Sequence, residues 1–105
     1  LNLSILDGWW DEGFNGDNGW AIPGGDDDEA DAEALYDVLE TQVVPAYYER
    51  DERGLPPRWL ALMRASIERL GEEFNTNRMV REYVEDMYLP AHREAAALPA
   101  ATPAA

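Results

Sequence analysis

The chain has 105 residues, with 22 acidic against eight basic residues, a formal net charge of −14 and no cysteine. This length allows one domain or part of one, and the charge excludes nucleic acid and anionic membranes as expected partners, because like charges repel. The lack of cysteine excludes disulfides and thiolate metal sites and fits a cytoplasmic location. We expect neither a secretory leader nor a membrane span, because no apolar run reaches the ~20 residues that cross a bilayer.

The first twenty residues predict two short strands on either side of a long loop. The mostly apolar Leu1–Leu6 is expected to form a buried strand that ends at Asp7-Gly8, and Trp20–Ile22 begins a second strand. Asp11–Gly19 lies between them and is rich in glycine and acidic residues, which predicts a loop. Because α/β enzymes place their sites at the carboxyl ends of strands, we expect this stretch to lie near a site.

A helix is predicted after an acidic loop over residues 23–31. From Asp31 onward, apolar residues recur at the spacing of an amphipathic helix. Pro45 should end or kink this helix near Val44, since proline lacks a backbone N–H and clashes with the preceding turn.

A second helix is predicted to begin at Pro56-Pro57, because proline in a first helical turn loses no needed hydrogen bond. Gly71 is expected to cap its C-terminal end. The expected buried stripe consists of Trp59, Leu60, Met63, Ile67 and Leu70.

A third helix is predicted after Asn75, which is a good N-cap residue. Pro90 should end or kink it, and residues 95–105 are expected to be a disordered tail because they are rich in alanine and proline. We therefore divide the chain into a folded part, residues 1–94, and the tail. The expected buried face of this helix consists of Met79, Val80, Tyr83, Val84 and Met87.

Five motifs in this order resemble the α-glucan phosphorylases, the family of glycogen, starch and maltodextrin phosphorylases. They are LNLSILDGWWDEGFNGDNGWAI, ALYDVLE, VVPAYYER, GLPPRW and FNTNRMVREYVE. The resemblance covers residues 1–90, is highly specific and is strongest to the shorter bacterial branch of the family.

The resemblance implies that the chain is a C-terminal fragment of such an enzyme. The expected fold is α/β: the last part of the second Rossmann-like domain of a glycosyltransferase-B fold, with two short strands and about three helices, incomplete on its own. The parent would cleave terminal α-1,4-glucosidic bonds with inorganic phosphate to release glucose 1-phosphate. Its expected partners are the remainder of the chain, the α-glucan and phosphate, and a homodimer is one expected assembly.

The family uses pyridoxal phosphate, which is bound to a lysine amine as a Schiff base. All eight basic residues of this chain are arginine, and a guanidinium cannot replace the amine. We therefore expect the parent to use the cofactor and this chain to bind none covalently. In the family, the lysine lies a few residues before the position of Leu1.

The sequence identifies no catalytic residue and no metal ligand. Asp7, Gly8 and Trp9 match the part of the family nearest the cofactor segment, so we expect them to neighbour the site. Trp9 and Trp10 are candidates to stack on sugar rings, although packing is favoured for both, and at most one is expected to face a ligand. Trp20 is expected in the core.

Other candidate sites are weaker. The Asp11–Gly19 loop lacks the closing acid of an EF-hand, because Ile22 takes that position. The only histidine, His92, is expected on the surface, and Arg78 and Arg81 are expected in ordinary surface ion pairs.

Two other functions stay open. In the first, the chain is a non-catalytic acidic module that binds a protein partner through its helices. In the second, it is a fragment of a related glucan synthase or of another glycosyltransferase of the same fold.

Overall fold

The computed structural model describes residues 1–98, which divide into two compact units. The first unit is residues 1–73, and the second begins at Phe74. Among residues 1–98, no helix is both long enough and apolar enough to cross a membrane.

The first unit contains a two-stranded parallel sheet. Strand β1 is Asn2–Ile5 and strand β2 is Gly19–Ile22. Asn2 pairs with Gly19 at one edge, and Ile5 pairs with Ile22 at the other. Both strands therefore begin at one edge and end at the opposite edge, which we call the amino edge and the carboxyl edge. The prediction of an α/β arrangement with two short strands is confirmed.

The strands are joined by a short helix, where the sequence predicted only loop. Helix α1 is Gly8–Gly13, so the beginning of the expected Asp11–Gly19 loop is helical. Trp10 explains the difference, because burial of its side chain against β2 stabilises a helical turn that glycine-rich sequence disfavours by itself.

Helix α2 is Asp28–Val38, three residues longer at its start than predicted. The Asp27 carboxylate caps it by accepting hydrogen bonds from the backbone N–H groups of Glu29 and Ala30, at 3.0 and 3.4 Å. Acidic residues in its first turn favour the positive end of the helix dipole.

The chain does not leave the helical path near Val44. A π-helical segment, Leu39–Val43, continues directly into helix α3, Val44–Tyr48. The N–H of Val44 donates to the carbonyl of Leu39, five residues earlier. This wider turn accommodates the Pro45 ring, which would clash with the carbonyl four residues before it in a regular α-helix.

Helix α4 is Pro57–Glu73 and starts where the sequence predicted. The prediction of a C-cap at Gly71 is wrong, because the helix continues through Gly71, where the surroundings leave open space. In the expected buried stripe, Leu60, Met63 and Ile67 are 43%, 40% and 70% exposed. Trp59 and Leu70, the other two members of the stripe, are half-buried, and the Trp59 ring contacts that of Trp20 in β2.

The core of the first unit is small. The buried apolar side chains among residues 1–98 are those of Trp10, Trp20, Ile22, Ala46 and Pro56. Trp20 is in the core as predicted. The Trp59 ring adds a half-buried contact, with its centroid 5.7 Å from that of Trp20.

The second unit is one continuous helical path with a π-helical segment in its middle. Helix α5 is Thr76–Glu82, the π-helical segment is Tyr83–Tyr88, and helix α6 is Leu89–Ala97. This π-helical segment lies just before Pro90, and the π-helical segment of the first unit lies just before Pro45. In both places the wider turn accommodates the proline ring.

The structure differs from two predictions about the second unit. Residues 95–97, expected in the disordered tail, are helical, because alanine is the best helix former. The rest of the expected tail, from residue 99, lies outside the described residues. The expected buried face of the third helix is exposed, with side-chain exposures between 37% and 56%, because nothing within this unit packs over it. Its members are Met79, Val80, Tyr83, Val84 and Met87.

The predicted cap of α5 is confirmed and can be tested on a peptide of residues 74–98. The Asn75 side chain accepts a hydrogen bond of 3.0 Å from the backbone N–H of Arg78. Because alanine cannot accept this bond, Asn75→Ala should cost the helix about 1 kcal/mol and lower its helicity by circular dichroism. Asn75→Asp should retain helicity, and Asn77→Ala, inside the helix, should raise it. Equal helicity in Asn75→Ala and the parent peptide would contradict the role of the cap.

Candidate functional site

The candidate site residues lie at the carboxyl edge of the sheet. Asp7, Gly8 and Trp9 follow β1 there, and Pro23–Gly25 follows β2. Ligands of parallel α/β sheets bind at this edge, because side chains and backbone groups of neighbouring strands end there together. Asp7, Gly8 and Trp9 are all exposed in the described part of the chain.

Backbone hydrogen bonds hold the turn after β1. The N–H of Leu6 donates to the carbonyl of Ile22 at 3.0 Å, which extends the ladder beyond the strand ends. The carbonyl of Asp7 accepts from the N–H of Trp10 at 3.0 Å and so opens α1. Gly8 has a φ of 50°, a left-handed angle that glycine adopts without strain. The Asp7 carboxylate makes no capping hydrogen bond to α1.

The two adjacent tryptophans have different environments. Trp10 is 1% exposed, and its indole N–H donates a 3.0 Å hydrogen bond to the carbonyl of Trp20. Trp9 is 51% exposed, although its ring contacts that of Trp10 at a centroid distance of 5.2 Å. Neighbouring residues on a helix point about 100° apart, so burial of Trp10 turns Trp9 outward. The sequence left this choice between the two residues open.

The turn after β2 packs tightly against β1. Gly24 has a φ of 69°, and a Cβ atom there would lie 2.5 Å from Cγ2 of Ile5. A side chain at this position is therefore excluded both by the backbone angle and by the space. The sequence signal for this turn was its Pro-Gly-Gly run, which marked only the end of a strand.

The glycine- and acid-rich loop lies at the opposite, amino edge. Asn18 is fully buried, its Nδ2 donates to the carbonyl of Gly13 at 2.7 Å, and its Oδ1 accepts from the N–H of Asn15 at 3.1 Å. The Asn15 side chain in turn accepts from the N–H of Asp17. These bonds shape the turn. Four strand residues separate this loop from Asp7, about 13 Å at 3.3 Å per residue, so the loop and Asp7 lie at opposite edges of the sheet.

A cleft of about 550 Å³ lies beside this loop and the first three residues of β2. Its walls include the rings of Phe14 and Trp20, and its polar residues are Asp17, Gln42 and Arg58. None of the three predicted site residues lines it.

The remaining candidates are surface residues. His92 is exposed on α6, as predicted. Arg78 pairs with Glu82 one turn later, at 3.0 Å between Nε and Oε1, and its guanidinium lies 5.3 Å from the centre of the Phe74 ring. Within residues 1–98, no group of three or more histidine or acidic side chains is placed to hold a metal ion.

The chain is similar to one segment of known phosphorylases. It is 51% identical over 98 residues to a glycogen phosphorylase of Mycobacterium tuberculosis and 50% identical over 92 residues to one of Aquifex aeolicus. It is 45% identical over 100 residues to a maltodextrin phosphorylase of Thermococcus litoralis.

The matches include 84% to 87% of this chain, which spans only 11% to 13% of the length of these relatives. No protein-family model matches the chain, and no solved structure matches it significantly. The resemblance to α-glucan phosphorylases that the motifs predicted is confirmed.

Proposed function

Because the chain matches one short segment of glycogen and maltodextrin phosphorylases, we propose that it is part of an α-glucan phosphorylase. The parent enzyme would cleave terminal α-1,4-glucosidic bonds with inorganic phosphate and release glucose 1-phosphate in the cytoplasm. The observation that carries this proposal is the identity of 45% to 51% over most of the chain to relatives in three genera.

The role of this segment is to complete a sheet and cover it. Parallel sheets are normally buried on both faces and rarely consist of two strands. β1 pairs only with β2 among the described residues, and its residues are half-buried. These features support a place in a larger parallel sheet, the second Rossmann-like domain of a glycosyltransferase-B fold.

The outward apolar faces support the same role. Leu60, Met63 and Ile67 form an exposed apolar row along α4. Large exposed apolar patches mark surfaces that are covered by a partner. We assign the remainder of the phosphorylase chain as that partner.

Pyridoxal phosphate does not fit the residues of this chain. The cofactor requires a lysine amine for its Schiff base, and the 105 residues contain arginine but no lysine. We therefore assign the cofactor and the catalytic residues to the remainder of the parent. Asp7, Gly8 and Trp9 are assigned only a position beside the site, at the carboxyl edge.

The proposal is tested on the full-length protein, which is the product of the complete reading frame that contains this segment. With maltoheptaose and inorganic phosphate it should release glucose 1-phosphate, because the proposed reaction is phosphorolysis. Coupled oxidation of the released sugar phosphate measures the rate, and omission of phosphate is the control. Chain extension that depends on a sugar nucleotide, without phosphorolysis, would instead identify a glucan synthase and contradict the proposal.

A further inference from the structure

Two Asn-Gly pairs lie three residues apart in the loop at the amino edge of the sheet, and their environments differ. Asn15 and Gly16 are exposed, whereas Asn18 is fully buried and Gly19 begins β2. Asparagine is chemically labile, and most of all before glycine, which has no side chain to keep the next backbone nitrogen away from the side-chain amide. The proposed function uses neither pair, so this inference goes beyond it.

The Asn15 side chain is folded over the Gly16 peptide. Its Oδ1 accepts a 3.0 Å hydrogen bond from the backbone N–H of Asp17, two residues later, which brings the side-chain carbonyl carbon close to the Gly16 nitrogen between them. The same bond polarises the carbonyl and makes its carbon a better electrophile. Gly16 has a φ of 93°, and a Cβ atom there would meet nothing within 4 Å. The turn therefore has room to adjust as a ring closes.

Asn18 has the same glycine neighbour but is held in place. Its Nδ2 donates to the carbonyl of Gly13 at 2.7 Å, and its Oδ1 accepts from the N–H of Asn15 at 3.1 Å. Release of this amide would leave both buried partners unpaired. The backbone that follows is equally fixed, because a Cβ atom at Gly19 would lie 2.6 Å from the carbonyl oxygen of Asn2.

We propose that Asn15 is a site of spontaneous deamidation in this protein and that the fold protects Asn18 from the same reaction. The Gly16 nitrogen gives up its proton to solvent and attacks the Asn15 side-chain carbonyl carbon. A C–N bond forms, the bond to the amide nitrogen breaks, and that nitrogen takes up a proton and leaves as ammonia. Water then opens the cyclic imide at either carbonyl, so that residue 15 becomes aspartate or isoaspartate, with no change of oxidation state.

The attack takes place within one turn, so it needs water but no ligand and no partner protein. Both products add a negative charge two residues before Asp17. Isoaspartate also routes the backbone through the former side chain and lengthens it by a methylene group. The N–H of residue 15 then shifts relative to Oδ1 of Asn18, which weakens the hydrogen bond that holds the buried amide.

The test ages the full-length protein in mildly alkaline buffer, well below its thermal midpoint. A protease that cleaves before aspartate separates the two sites, because Asp17 lies between them, and mass spectrometry of the peptides measures the modified fraction at each. Asn15 should deamidate at least about tenfold faster than Asn18, since two buried hydrogen bonds hold the second side chain. The rate at Asn15 should rise with pH, because the Gly16 nitrogen attacks only after it loses its proton.

The same protein in denaturant is the matched control, and there the two rates should become similar, because only the fold distinguishes the two pairs. Equal rates in the native protein, or faster reaction at Asn18, overturn the inference. If the remainder of the parent covers this turn, native Asn15 stays unmodified while the denatured protein reacts at both sites, and that result overturns it as well. None of these outcomes depends on whether the protein releases glucose 1-phosphate.

Discussion

The isolated 105-residue chain should show no cooperative thermal unfolding. Only five apolar side chains, Pro56 included, are buried among residues 1–98, and each contributes about 1.5–3 kcal/mol at most. Ordering the backbone costs about 1–2 kcal/mol for every residue. The largest helix, α4, contains no buried residue. A chain with so little core is expected to fold only against the surface that covers it in the parent.

Calorimetry and amide proton spectra of the purified chain test this expectation. The heat-capacity trace should lack a peak, and the amide signals should be broad and poorly dispersed. The full-length protein is the control and should melt sharply. A sharp melt of the monomeric chain would contradict the assignment as part of a larger domain and favour a free-standing acidic module.

Gly19→Ala should destabilise the full-length protein by about 2–5 kcal/mol. Gly19 begins β2 with a φ of 154°, and a Cβ atom there would lie 2.6 Å from the carbonyl oxygen of Asn2 and 2.8 Å from the Trp10 ring. The oxygen belongs to the backbone of the paired strand, so it can move only if that strand shifts. The buried Trp10 ring has equally little room.

Gly25→Ala is the matched control for Gly19→Ala. A Cβ atom at Gly25 meets nothing within 4 Å, and its φ is not positive. This substitution should leave stability equal or raise it by about 0.4–1 kcal/mol, because alanine restricts the unfolded chain. Thermal midpoints of the two variants are compared with wild type. Equal midpoints for both variants would contradict the close approach of β2 to β1.

Local chemistry made several elements predictable. Apolar residues at period two or at helical spacing marked both strands and three helical regions. The starts of α4 and α5 followed from Pro57 and the Asn75 cap, since both depend on residues within one turn. Specific motifs also carried the resemblance to phosphorylases, which the comparisons confirmed.

The differences from prediction came from contacts distant in sequence and from local backbone geometry that residue propensities do not specify. Residues 8–13 are helical because Trp10 reaches the carbonyl of Trp20, which no local propensity encodes. Pro45 and Pro90 predicted an end or a kink, and the structure shows a π-helical segment before each proline, after which the helical path continues. The apolar residues of α4 were expected on one buried face, yet packing against the sheet buries only part of them.

The sequence by itself determined the family resemblance, the lack of a lysine for the cofactor and the existence of the two strands. Only the tertiary structure decided that Asp7 and the glycine-rich loop lie at opposite edges of the sheet, and that Trp9 rather than Trp10 is exposed. The physical reason is that strand pairing and side-chain burial join residues ten or more positions apart. The relative positions of such residues depend on which long-range contacts form together. Residue chemistry and local periodicity, in contrast, can be read from the sequence directly.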